Sequence, residues 1–186
     1  MDIGTLLERL AATPWSIALH ESQYVWPFTE SLHVLMLTLF AGSAVMLDLR
    51  LLGRAFTNIP VTVFTARLLP WTRGGFAVMV ITGVLLFYAQ PVTYFHSVFF
   101  RLKLVCLVIA GLNVFIFHSR TQASVGAWDV GVRPPRAAHM AATVSLMAWA
   151  SVIVSGRLIA YNWFDCELHA QPAWVVWAAG CKAPTP

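Results

Sequence analysis

The chain has 186 residues, 59% of them hydrophobic and only 11% charged, with a formal net charge of +4. Soluble domains run at roughly 45–50% apolar and about 25% charged. This composition excludes an ordinary soluble protein and predicts a single membrane domain over 1–186. The basic excess flanks hydrophobic runs, where topology accounts for it, so no nucleic-acid partner is expected. No phosphate-binding glycine loop, nucleophile motif or hydrolytic carboxylate pair is present.

In chain order, Ile3, Leu6, Leu7 and Leu10 recur at helical spacing, and Thr13-Pro14 reads as an N-cap followed by proline at the first helical position. Short interfacial helices over about 3–22 follow from this pattern. Asp2, Glu8, Arg9 and His20 interrupt the segment, unlike the clean apolar run of a cleaved signal peptide.

A hydrocarbon core of about 30 Å takes roughly 20 residues to cross. Four runs are long enough, at 24–50, 74–92, 97–118 and 137–162. Lipid obliges their backbone groups to pair internally, so they are expected as helices of an all-α, polytopic four-helix bundle. Between the first two, TNIPVTVFTARLLP (57–70) reads as a separate amphipathic interfacial helix, and 163–186 forms a tail.

Let side A be the face where the first span begins and side B the opposite face. Side B carries Arg50, Arg54, Arg67, Arg73, Arg120, Arg133 and Arg136, whereas side A has Arg9 and Lys182 outside the spans. The positive-inside rule puts side B in the cytoplasm. A bacterial inner membrane with both termini periplasmic is the expected setting. Cys166 and Cys181 both fall in the side-A tail, an oxidising location in that topology, and are expected to form a disulfide. Cys106 is expected to pack within the third span.

The first span contains Glu30, His33 and Asp48. Ionisable groups at that depth are costly and usually pair or function. Glu30 and Asp48, 18 residues apart, share a helical face, with His33 about 60° away. His139 and Arg157 of the fourth span are spaced likewise. If the two spans run antiparallel, Glu30–Arg157 and Asp48–His139 form ion-pair clamps at opposite ends. His33 is left without a partner in that scheme. The third span adds Arg101, Lys103, Asn113 and His118, with His96 at its entrance. Lys103 either snorkels to side A or meets an acidic ligand group.

Several stretches carry a resemblance: SLHVLMLTLFAG and DLRLLG within 31–53, RLLPW and GF within 67–76, FRLKLVCLVIAGLNVFIFH (100–118) and SGRLIAY (155–161). Together they resemble a family of uncharacterised four-helix membrane proteins from bacteria. A histidine within a small four-helix bundle is also similar, more loosely, to membrane b-type cytochromes and to the membrane domain of copper-resistance proteins. His33 and His118 fall on the family pattern; His20, His96, His139 and His169 do not.

The reading favoured by these residues is a b-type haem protein that moves electrons between a membrane quinone and a periplasmic partner. His33 is the side-A axial candidate, with His96 as a second ligand and Arg101, Lys103 and Arg157 available to propionates. His118 and His139 make a side-B candidate pair. His33 and His118, the two metal-ligand candidates on the family pattern, differ in level by about 20 Å and cannot share a haem within one chain. No CxxCH occurs, which excludes covalent c-type attachment. Two alternatives stand beside this reading: a non-catalytic interaction or assembly subunit, alone or in a homo-oligomer or larger membrane complex, and a copper or proton pathway using Glu30 and His33.

Overall fold

The computed structural model describes residues 3–121, 125–126, 128–129, 134–161, 163–164 and 171–180. Within them the chain is all-α, with no strands. Two short helices, α1 (Ile3–Ala11) and α2 (Pro14–His20), lead into α3 (Val25–Leu51) and α4 (Val61–Ala89). A one-turn helix α5 (Pro91–His96) joins these to α6 (Val98–Ile116), which ends in a π-helical turn at Phe117–Thr121. Then come α7 (Arg136–Leu158), a 3-10 turn at Ile159–Tyr161, and a short tail helix α8 (Ala173–Ala179). Four of these helices are long and apolar enough to cross a membrane, so this is a multi-pass membrane protein whose outer faces meet lipid.

The start of α2 follows the expected chemistry. Thr13 Oγ1 accepts from the Ser16 amide at 3.3 Å and Pro14 occupies the first turn. The same hydroxyl lies 2.7 Å from the Tyr88 hydroxyl, and Ser16 Oγ donates to the Tyr88 carbonyl at 2.8 Å. A helix leaves its last carbonyls unpaired. Here α2 satisfies one of them, so the N-terminal helices dock on the side-A end of α4.

The second span differs from expectation. The segment 57–70 does not form a separate interfacial helix; one helix runs from Val61 to Ala89 through Pro70. At 1.5 Å per residue it is about 43 Å long, so its first turns extend beyond a 30 Å core. The proline removes one hydrogen bond without ending the helix, because α4 meets α3 on both sides of that point, Val61 in one cluster with Leu51 and Gly75 against Met36. The other spans match within a few residues.

In a membrane, lipid tails are as apolar as leucine, so helices associate through close packing and hydrogen bonds. The pairs α3–α4 and α6–α7 pack along their lengths, and α3 also meets α7. A central cluster draws on all four spans, with Phe40, Met79, Cys106, Ala110, Ala148, Trp149 and Val152. The Phe40 and Trp149 rings meet edge-to-face at 4.6 Å. At Gly75 the backbones approach so closely that a Cβ would lie 3.4 Å from the Met36 carbonyl oxygen. A second cluster on side B joins Leu51, Val61, Ala138 and Ala142.

Candidate functional site in the membrane interior

The side-A half of the bundle brings one polar group from each of three spans together. His33 of α3 is half-buried, with Nδ1 2.9 Å from Thr82 Oγ1 of α4. Thr82 Oγ1 also lies 2.8 Å from the Val78 carbonyl and 3.1 Å from the Met79 carbonyl, to either of which it can donate. When that hydroxyl donates to a carbonyl it accepts from His33, which is then the Nδ1–H tautomer with its ring lone pair on Nε2. Gly83 makes room for the ring: a Cβ there would come within 3.1 Å of His33 Cε1. Lys103 of α6 lies within electrostatic range of His33. Its amine rests against α7, 3.6 Å from where a Cβ on Gly156 would stand.

The other expected ligands sit elsewhere. His96 Nδ1 faces the Ala179 carbonyl at 3.2 Å. Arg101 donates to the carbonyls of Phe95 (2.9 Å), Ala178 (2.7 Å) and Ala179 (2.7 Å), and its guanidinium lies 4.8 Å from the centre of the Phe95 ring. Both residues hold the C-terminus of α8 rather than joining His33. His118 is exposed in the π-helical turn, and His139 Nδ1 faces the Pro135 carbonyl at 3.3 Å. Cys106 is a buried free thiol; Cys166 and Cys181, and with them the expected disulfide, lie outside the described residues. Among the described residues no three His, Cys, Asp or Glu side chains converge as a metal site.

The two expected clamps are not formed. No ion pair joins Glu30 to Arg157 or Asp48 to His139 among the described residues. Arg157 is exposed, its guanidinium 5.0 Å from the centre of the Tyr161 ring, and Glu30 is also exposed. The spacing of 18 residues was right for a shared face, but α7 turns a different face to α3. That face carries Ser145, Trp149 and Val152. Glu30 instead acts on Tyr94 of α5. Burial, and then the Glu30 charge, push the Tyr94 phenol up to about 12.

Three features escaped sequence reading. Thr82 is marked in the sequence only by its place in a Thr-Gly pair within an apolar run, a packing signal. The tail helix α8 has Pro172 before it and Gly180 in the left-handed conformation after it, which are start and stop signals. On side B, Arg50 is 2% exposed and donates to the carbonyls of Ile59 (2.8 Å) and Asp129 (3.4 Å). Asp129 in turn caps α4, accepting from the Thr62 amide at 2.8 Å and its hydroxyl at 2.5 Å. No local pattern announces a partnership across 79 residues.

A cavity of about 220 Å³ opens on side A between α2 and the α4–α5 junction, lined by Ile17, His20, Glu21, Gln90 and Thr93 among others. Neither His33 nor Lys103 forms part of its wall, and it does not mark the polar cluster. Residues 21–162 match the model of DUF6644, a family of unknown function, and the chain belongs to that family. No curated protein and no solved structure matches it.

Proposed function

For this DUF6644 member we propose a role as an electron-transfer protein of a bacterial inner membrane, working between a membrane quinone and a periplasmic redox partner. The cofactor in this reading is b-type haem, held by His33. One observation carries it: Thr82 holds His33 through Nδ1, and in the Nδ1–H tautomer the lone pair available to iron is on Nε2. A ligating histidine commonly donates its other ring nitrogen to a second group in this way.

The residues fit a site with one histidine from this chain. Lys103 supplies a positive charge for an acidic group, Thr82 holds the ring, and Gly83 lets the ring lie against α4. Haem, when bound, supplies one-electron chemistry at its iron. His96 and Arg101 stand at the tail helix, against the Ala179 carbonyl, so this reading draws on one histidine of this chain. The arginine-rich side B supports a cytoplasmic placement of that face and a periplasmic one for both termini.

A second reading, a non-catalytic assembly subunit, draws support from the filled centre of the bundle, where Phe40 and Trp149 interlock. In that case His33–Thr82 is a helix-to-helix hydrogen bond and nothing more. A copper or proton pathway through Glu30 and His33 has less support, since Glu30 is exposed.

A reduced-minus-oxidised absorption spectrum of haem-replete protein, beside His33→Ala, tests the choice. A b-type alpha band that disappears in the variant supports the haem reading. A featureless spectrum from a folded, haem-replete preparation removes it and leaves the assembly subunit.

A further inference from the structure

The side-B half of the bundle holds a group that the His33 reading does not use. Asp48 lies in the last turn of α3, 5% exposed. Ser145 of α7 faces its carboxyl, close enough to interact with it. Its Oδ2 has no hydrogen-bond partner and is the buried side-chain nitrogen or oxygen among the described residues for which this holds.

Every neighbouring charge is directed elsewhere. On α3 itself, Arg50 Nε and Nη2 donate to Ile59 and Asp129 carbonyls. On α7, His139 faces the Pro135 carbonyl. On α6, Asn113 Nδ2 donates to the Ala141 carbonyl at 2.9 Å. On α4, Arg67 is exposed, and the buried residues of its first turns, Val61 and Phe64, are apolar. His33 is 15 residues away along α3, about 22 Å. An unpaired carboxylate in such surroundings carries the full cost of ion desolvation, whereas an unbonded neutral hydroxyl carries the smaller cost of a polar group.

We infer that Asp48 is a proton-binding site within the membrane, a carboxylic acid that exchanges its proton with the side-B compartment. The step is simple addition: Oδ2 takes up one proton and the carboxylate charge is lost. Side B is the nearer exit, because Asp48 is three residues, about 4.5 Å, from the end of α3.

Infrared spectroscopy of the full chain in liposomes at about pH 7, where ordinary aspartates are ionised, tests this. A carboxylic-acid carbonyl band is expected in the wild type. It should move on ¹³C-aspartate labelling, vanish in Asp48→Asn, and shift in heavy water. Finding carboxylate bands alone, or an acid band that survives Asp48→Asn, overturns the proton site. An acid band that never shifts in heavy water overturns the exchange with side B. If Asp48→Asn does not fold, ¹³C-aspartate labelling of the wild type decides: an acid band that moves supports the site, and none that moves overturns it.

Discussion

His33 and Thr82 are joined across the α3–α4 interface by a 2.9 Å hydrogen bond, and the threonine hydroxyl also lies 2.8 Å from the Val78 carbonyl. The bond thus both holds two helices and orients the histidine ring. Interhelical hydrogen bonds in membranes average about 0.6 kcal/mol and reach about 1.7. Thr82→Val keeps the shape and removes the hydroxyl, so it should lower stability by about that much. Thr82→Ser should restore most of the loss. Reversible unfolding in mixed micelles measures both; equal stability of all three proteins would mean that the contact contributes nothing.

The glycine beside that ring gives a sharper test of packing. A methyl at Gly83 would press to within 3.1 Å of His33 Cε1, whereas one at Gly111 meets nothing within 4 Å. Overpacking costs about 1–3 kcal/mol, so Gly83→Ala should destabilise by about 1 kcal/mol or more. Gly111→Ala should be neutral or gain from helix propensity. Truncating the ring relieves the clash, so Gly83→Ala should cost much less in a His33→Ala background. A double-mutant cycle reads this coupling directly.

The bundle was legible because length and apolar content alone specify spans, and Thr13-Pro14 announces a helix start through local chemistry. The amphipathic pattern of 57–70 suggests a separate interfacial helix, but in lipid the packed neighbour and the cost of unpaired backbone keep α4 continuous through Pro70. The side-A cluster was half legible. His33 and Lys103 stand out as ionisable groups in apolar runs, while Thr82 acquires meaning only from the register of α3 against α4. The clamps failed for a related reason. A helical wheel tells which residues share a face, as Glu30 and Asp48 do, but not which face the neighbouring helix meets.

Arg101 offers a prediction on the side-A tail. Its planar fork binds the last two carbonyls of α8 at 2.7 Å each, and Gly180 closes the helix at φ 66°. Lysine cannot reproduce two parallel bonds. Both Arg101→Ala and Arg101→Lys should release α8, seen as faster hydrogen exchange over 173–179 with the four spans unchanged. His96→Ala, which removes a single contact, should give a smaller increase. Unaltered exchange in Arg101→Ala would show that burial of Val175 and Ala179 alone seats the tail helix.

Asp129 links pH to stability on side B. The Thr62 hydroxyl, then the Thr62 amide, and more weakly the Val61 amide and the Arg50 charge, hold its carboxyl below the usual aspartate value of 3.8. A carboxyl depressed on folding contributes stability that is fully present above its unfolded value, near 4, and is lost as pH falls through the lower folded value. Asp129→Asn removes the charge that Thr62 and Arg50 favour. Wild type should therefore melt above the variant by a constant margin from about pH 7 to 5, a margin that shrinks below about pH 4. Thermal melts across that range measure it. A margin that widens on acidification would reverse the sign and show that the α4 cap does not depend on the carboxylate.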